Sequence, residues 1–354
     1  MLAHPLSATE RLDLFNIGLM AVACAVAFVV PFELFLFSYA ILGPLHYLTE
    51  ISWLHDQKYY LPDRRYASGL LLFTALLTLV FFNFSYQLNL KLPVNMGAYV
   101  AYAAFFGTLV VVVGRTTRQR LVLALSGLIL LLAIRSGSYF PLILAVFLPT
   151  LIHVYVFTGL FMLYGALKSR SRTGLLAVGV LALCPVLLVL FPDAEPSRVV
   201  TAYGREAYIG GERRVGFWGL NANVLASVFG VRPTTAGIDP MAFWLEQVFH
   251  SRAGVLLMRF IAFAYTYHYL NWFSKTRIIQ WHNVPRARFA GVLALWAVSI
   301  GLYVWSYSLG LQWLYFLSYL HVLLEFPLNH TSAVGVVRLL RQRLGGGVSA
   351  QTVA

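Results

Sequence analysis

The sequence predicts an all-α integral membrane protein, a polytopic bundle of about ten transmembrane helices. Hydrophobic residues make up 60% of the 354 residues and charged residues only 11%, whereas about a quarter of a typical soluble domain is charged. Long apolar runs recur along the chain, and each could cross a hydrocarbon layer of about 30 Å as a helix. Residues 1–354 are therefore expected to form a single transmembrane domain in contact with the lipid bilayer.

The predicted spans follow one another closely along most of the chain. The connection at Val30, Pro31 and Phe32 is so short that the first two spans are expected to form a hairpin. Proline removes a helical hydrogen bond, so Pro149 and Pro327 are expected to kink the sixth and tenth spans. The predicted spans are residues 14–31, 33–55, 68–86, 95–113, 119–135, 139–167, 173–192, 252–274, 289–308 and 312–336.

The basic residues predict how the chain is oriented in the membrane. If the N-terminus is cytoplasmic and the spans alternate, most of the 26 Lys and Arg residues fall in short cytoplasmic loops, as the positive-inside rule requires. The N-terminus and the C-terminus are therefore both expected to be cytoplasmic, in the inner membrane if the source is a bacterium. These loops also explain the net charge of +13, so the charge does not indicate nucleic-acid binding.

One long polar segment interrupts the series of spans. Residues 193–250 are mixed in charge and rich in glycine and aromatic residues. We interpret this segment as an external loop that either connects two spans or forms a lid or a partly re-entrant segment over a cavity. The two cysteines, Cys24 and Cys184, lie within apolar runs and indicate neither a disulfide framework nor a thiolate metal site.

Four of the nine histidines lie deep within predicted spans. His46, His153, His268 and His321 belong to spans two, six, eight and ten, which all run in the same direction. Each histidine is a similar number of residues from the outer end of its span. At about 1.5 Å per residue, this places all four imidazoles in one layer near the middle of the membrane.

Two of these histidines are each followed by a glutamate. The segments "LHYLTEISWLH" and "LHVLLEFPLNH" place Glu50 four residues after His46 and Glu325 four residues after His321. Residues four apart share one face of a helix. A charged group at the centre of a bilayer costs about 3 kcal/mol or more, so such a carboxylate needs a partner. A metal would satisfy the carboxylates and the imidazoles together, which predicts these ligands: His46, Glu50, His153, His268, His321 and Glu325.

Further polar residues could support the ligands. His55 and His330 lie nine positions after the first histidine of each repeat, about half a helical rotation away, so they are interpreted as interfacial residues. With His282, they could donate hydrogen bonds to the ligands or line an access path. Asn271 is three residues from His268 on the same helix face and could orient that imidazole.

The donor types indicate the metal and the chemistry. Imidazole with carboxylate suits iron, zinc or manganese, and the site is rich enough for one or two iron ions, with zinc or copper as alternatives. A non-haem iron site enclosed by apolar helices favours an oxygenase that uses dioxygen on a lipophilic substrate. Such an enzyme either receives electrons from an external donor or catalyses a dioxygenase reaction that requires no donor.

Three segments resemble histidine motifs of a known enzyme family. "GPLHYLTE", "AYTYHYLNWFSKTRIIQWH" and "SYLHVLLE" are similar to segments of the bacterial Brp/Blh-type β-carotene dioxygenases. In that family, histidines from several membrane helices hold one non-haem iron and a carotenoid is cleaved to retinal. The resemblance implies that His46, His268 and His321 are iron ligands, with His153 as a fourth. The family's first motif has Pro directly before the histidine, whereas here Pro44 is two residues before His46.

Three other functions fit parts of the pattern. A proton- or ion-coupled transporter could use the glutamates and histidines as a relay, although the repeat is local and does not cover half the chain. A zinc-dependent intramembrane hydrolase would use the same ligands. A haem-based electron carrier with two histidine ligands would leave both glutamates without a role.

Overall fold

The computed structural model describes residues 6–79, 95–137, 139–190, 200–210, 216–233 and 239–344, and their regular structure is entirely helical. The helices are α1 (Ala8–Val29), α2 (Pro31–Asp56), α3 (Arg64–Leu79), α4 (Met96–Val113), α5 (Thr117–Ile134), α6 (Tyr139–Ser169), α7 (Arg172–Leu190), α8 (Ala202–Ile209), α9 (Trp218–Ser227), α10 (Pro240–His250), α11 (Arg252–Ser274), α12 (Arg286–Trp305) and α13 (Tyr307–Leu344).

Seven of the described helices are long and apolar enough to cross a membrane: α1, α2, α4, α5, α6, α7 and α12. This result confirms the prediction of a helical membrane protein but not the number of ten spans. Helix α3 is described only as far as Leu79, so the end of the predicted span 68–86 lies outside the described residues. Helices α11 and α13 are long but contain the polar residues of the candidate site, which lowers their hydropathy.

Helix α11 lies inside the bundle rather than at its surface. It packs against α1, α2, α6 and α10, and nearly all of its residues from Gly254 to Trp272 are buried. A helix that is surrounded by protein does not need lipid-soluble side chains on every face. Its polar composition therefore agrees with its position in the bundle.

Four helices form a ring around the candidate site. Helices α2 and α6 each pack against both α11 and α13. Among the described helices, these four carry all six predicted ligands. The connection between α1 and α2 at Val30 is as tight as the sequence predicts.

Two ring helices contain π-helical segments. The first spans Ser38–Leu42 in α2 and the second Leu142–Phe157 in α6. Pro44 follows the first segment and Pro149 lies within the second. Because a proline clashes with the carbonyl four residues earlier, a wider helical turn relieves the contact, and such turns are frequent at functional sites. In contrast, α13 continues through Pro327 as one α-helix.

The described parts of segment 193–250 form helices α8, α9 and α10 rather than an irregular loop. Tyr208 of α8 is fully buried and its ring meets that of Phe32 edge to face at 5.2 Å. The apolar side chains of the segment thus pack onto the beginning of α2. Its function as a lid stays a prediction.

The enclosed position of α11 predicts a difference between two alanine substitutions. Ala262→Leu adds atoms at a position that is fully buried in α11, and such overpacking costs about 1–3 kcal/mol. Ala294→Leu makes the same change at an exposed position of α12. We expect the first variant alone to lower the thermal unfolding temperature of the purified protein, followed by tryptophan fluorescence. Equal unfolding temperatures would contradict the central position of α11.

Candidate metal centre

Six side chains from the four ring helices converge in the interior of the bundle. They are the predicted ligands His46 and Glu50 of α2, His153 of α6, His268 of α11, and His321 and Glu325 of α13. Each is at most 6% exposed. The structure therefore brings together residues that are up to 279 positions apart in the sequence, on the helix faces that the spacing predicts.

The four imidazoles meet in two pairs. Nε2 of His46 lies 3.0 Å from Nε2 of His268, and Nε2 of His153 lies 3.1 Å from Nε2 of His321. In both pairs the rings are nearly perpendicular, at 82° and 78°. Two nitrogens bound at right angles to one metal at about 2.1 Å would be separated by about 3 Å. The spacing of each pair therefore suits two ligands of the same ion.

Each glutamate accompanies one imidazole of the cluster. Oε2 of Glu50 is 3.1 Å from Nε2 of His46, and Oε2 of Glu325 is 3.2 Å from Nδ1 of His153. Among the described residues, the ion-pair contacts of these two carboxylates involve only histidines. Both side chains are at most 3% exposed, so two carboxylates lie in the interior with no lysine or arginine of the described residues at ion-pair distance.

The donor atoms fit a metal. Two groups of buried residues each place one ligand atom per residue within 4.8 Å of the others: His46, His268 and His321 in one, and His153, His321 and Glu325 in the other. His321 belongs to both groups. Within the described residues, several atoms of the cluster form no hydrogen bond of suitable angle, including Oε2 of Glu50 and Oε2 of Glu325, although each lies close to a histidine nitrogen. Buried polar atoms are rarely left unsatisfied, and a bound cation would satisfy these oxygens.

Thr158 fixes the orientation of His268, which the sequence pattern did not indicate. Its hydroxyl oxygen is 2.9 Å from the carbonyl of Val154 and 2.8 Å from Nδ1 of His268. Since the hydroxyl proton is donated to the carbonyl, the hydroxyl oxygen accepts from the protonated Nδ1. The Nε2 atom of His268 then carries a lone pair directed into the cluster, as metal binding requires.

Aromatic side chains close one end of the cluster. The ring of Tyr47 stacks on His321 at 4.2 Å, and its hydroxyl is hydrogen-bonded to that of Tyr269 at 2.6 Å. A Cβ atom on Gly43 would lie only 3.1 Å from the Tyr47 hydroxyl, so a glycine makes room for this pair. On the opposite side of the cluster, Trp272 donates to Thr49 and meets His46 edge to face. These contacts hold the imidazole rings in place.

A cavity reaches the cluster from the other end. Its volume is about 420 Å³, and His46, Glu50, His268 and Glu325 line its inner part. The rest of the wall is mainly apolar and aromatic, with two lysines at the outer part. A volume of this size is in the range of small-molecule sites. Four of the six predicted ligands therefore line a space that could hold a second molecule.

The predicted supporting residues have different positions. Asn271 is buried and lines the cavity, and its Oδ1 has no hydrogen-bond partner among the described residues. His330 is buried, but its Nε2 lies 2.8 Å from the carbonyl of Phe105. His55 is exposed and contacts Tyr59, whereas His282 lies in an exposed turn beside Trp281. The structure thus places His55, His282 and His330 outside the cluster of six.

The chain matches no protein-family model, no curated protein and no solved structure at a significant level. The geometry of the cluster and its cavity therefore carries the functional conclusion.

The shared position of His321 predicts unequal effects of histidine substitutions on metal content. His321→Ala disrupts both groups of ligands and is expected to abolish metal binding. His46→Ala and His153→Ala each leave one group complete and should retain part of the metal. His55→Ala is the matched control and should retain all of it. Elemental analysis of the purified variants measures this order, and full metal content in His321→Ala would contradict the site.

The hydrogen bond from His268 predicts a distinct effect at Thr158. Thr158→Val keeps the shape of the side chain but removes the oxygen that accepts from Nδ1, so metal affinity should fall by about 10- to 100-fold. Thr158→Ser keeps the oxygen and should bind metal nearly as tightly as the natural protein. Titration with a competing chelator measures both affinities. Equal affinities in the two variants would refute the orienting role of Thr158.

Proposed function

We propose that the protein is an integral-membrane, metal-dependent enzyme, a non-haem iron oxygenase that acts on a lipophilic substrate with dioxygen. The observation that carries the proposal is that two predicted ligands on α2, one on α11 and one on α13 also line a cavity. A purely structural metal would be enclosed by its ligands, whereas a catalytic metal keeps a position open to substrate. The open side of the cluster supports a catalytic site.

The composition of the cluster supports iron within this proposal. Four imidazoles and two carboxylates provide nitrogen and oxygen donors, and the site contains no thiolate. Such a set of donors suits one or two non-haem iron ions with open coordination positions. Zinc and copper are the alternatives. Bound iron would activate dioxygen, which apolar side chains cannot do by themselves.

The residues of the chain supply orientation and exclusion of water. Trp53, Phe161 and Trp272 give the cavity an apolar wall, which accommodates a lipophilic molecule and keeps bulk water from the reacting atoms. The Tyr47–Tyr269 pair covers the opposite side of the imidazoles. The same requirements apply to a carotenoid-cleaving enzyme, so carotenoids are among the first substrates to test.

Elemental analysis and absorption spectroscopy of the detergent-purified protein test the proposal. We expect one or two iron ions per chain and no Soret band, and oxygen consumption when a lipophilic substrate such as a carotenoid is added. The Glu50→Gln variant should bind metal less tightly and lose activity while it still inserts into the membrane, because a neutral amide replaces the carboxylate. His55→Ala serves as the control for general damage.

Other outcomes would assign a different function. Zinc in place of iron would indicate an intramembrane hydrolase that uses the same ligands. A Soret band would indicate haem-based electron transfer. A protein free of metal after purification without chelator would leave the His–Glu pairs as a proton relay and favour transport.

A further inference from the structure

The outer part of the 420 Å³ cavity carries two lysines. Lys168 follows Tyr164 and Gly165 along α6, and Lys275 directly follows the end of α11; all four residues line the cavity. His268 and Lys275 are seven residues apart, so the lysine lies about 10 Å along the helix axis from the imidazole. Thr158, which contacts His268, is ten residues before Lys168, or about 15 Å. The cavity is thus long enough to separate two chemically different ends.

The charges at the two ends of the cavity are opposite. Glu50 and Glu325 lie at the inner end, and both lysines lie at the outer end. A divalent metal would neutralise the negative charge of the two inner carboxylates. The net charge of the cavity would then be positive and would come from the two lysines. A cavity lined by one sign of charge between apolar walls concentrates ligands of the opposite sign.

The surroundings of Lys275 leave its charge available. Its side chain is half-buried, and burial lowers the pKa of Lys275 to about 8. The carboxylate of Asp13 raises this pKa again. The Asp13 carboxylate also accepts hydrogen bonds from the hydroxyls of Ser171 and Thr173, at 2.5 and 2.8 Å, so the lysine is not its only partner. A half-buried ammonium gains more from a bound anion than a fully solvated one.

We propose that the cavity binds an amphiphile with one acidic head group, a carboxylate or a phosphate, that lies between Lys168 and Lys275 while the apolar tail extends toward the imidazoles. This inference rests on the proposed function for the reaction at the inner end, but the binding itself requires only the cavity. It narrows the substrate from any lipophilic molecule to an anionic one. The reverse orientation lacks this match of charges, because the metal already balances the inner carboxylates, whereas the positive charges of the two lysines are unbalanced.

Tryptophan quenching measures the preference for an acidic head group. Trp53 and Trp272 line the cavity, so a tail brominated at its end should quench their fluorescence. We expect the natural protein to bind 10-bromodecanoate about tenfold more tightly than 10-bromodecanol, which has the same tail. Decanoate and decyl phosphate should compete with the probe, whereas inorganic phosphate, which lacks a tail, should not. Competition by inorganic phosphate alone would overturn the proposal of an amphiphile.

Paired substitutions assign the preference to the two lysines. The double variant Lys168→Gln/Lys275→Gln should lose the tenfold preference and keep the affinity for 10-bromodecanol. Lys168→Arg/Lys275→Arg keeps both charges and should keep the preference. Arg277→Gln/Arg338→Gln removes two exposed charges that do not line the cavity and should bind like the natural protein. The assignment would be overturned if the Lys→Gln double variant kept its preference for the acid over the alcohol. It would also be overturned if the Arg→Gln double variant lost this preference to the same extent.

The same samples separate this inference from the proposed function. Metal content is measured beside binding, on protein as purified and after removal of metal with a chelator. Iron without any acid preference would leave the oxygenase standing and refute the anionic substrate. An acid preference that depends on the lysines, in protein that binds no metal, would support the amphiphile site and refute the oxygenase.

Discussion

The structure depends on the burial of two carboxylates in an apolar bundle. Glu50 and Glu325 lie in the interior, and within the described residues their ion-pair contacts reach only His46 and His153. Breaking up such a group by removing one partner leaves an uncompensated charge, which is strongly destabilising. His46 and His153 lie beside these two groups, and Thr158 and the surrounding aromatic residues contact the other members of the histidine cluster. A bound cation would satisfy both carboxylates with the donors present.

This constraint also explains how the polar and apolar helices are arranged. Helices α11 and α13 carry three of the six predicted ligands and fall outside the seven helices that are apolar enough to span a membrane, whereas α2 and α6 carry the other three and are among the seven. Helix α11 is enclosed, while the exposed faces of α5, α7 and α12 carry many apolar side chains. Hydropathy therefore identifies the helices that face lipid more readily than those that form the interior. Half of the predicted ligands therefore lie on helices that hydropathy alone does not identify as membrane spans.

The sequence was sufficient to predict the cluster but not its surroundings. The depth of four histidines in parallel spans and the spacing of four between His46 and Glu50 depend only on helical geometry, and the structure brings all six residues together. Thr158, Tyr47 and Lys275 were not predicted, because their contacts depend on the rotation and tilt of neighbouring helices, which no spacing within one span encodes. For the same reason, no pattern showed that His330 faces Phe105 on another helix.

The two ends of the cluster differ in a way that favours an enzyme over a transporter. One cavity reaches the ligands from the end with the lysines. A second cavity, lined by Tyr39, Tyr265 and Tyr315, lies toward the other end of the same ring helices. The hydrogen-bonded pair Tyr47–Tyr269 links the aromatic rings beside that cavity to the imidazoles. Transport of an ion larger than a proton through the cluster would require this pair, whose rings contact His321 and His46, to separate in every cycle. A reaction needs access from one side only, and a fixed aromatic wall on the other side keeps the ligands in position for it.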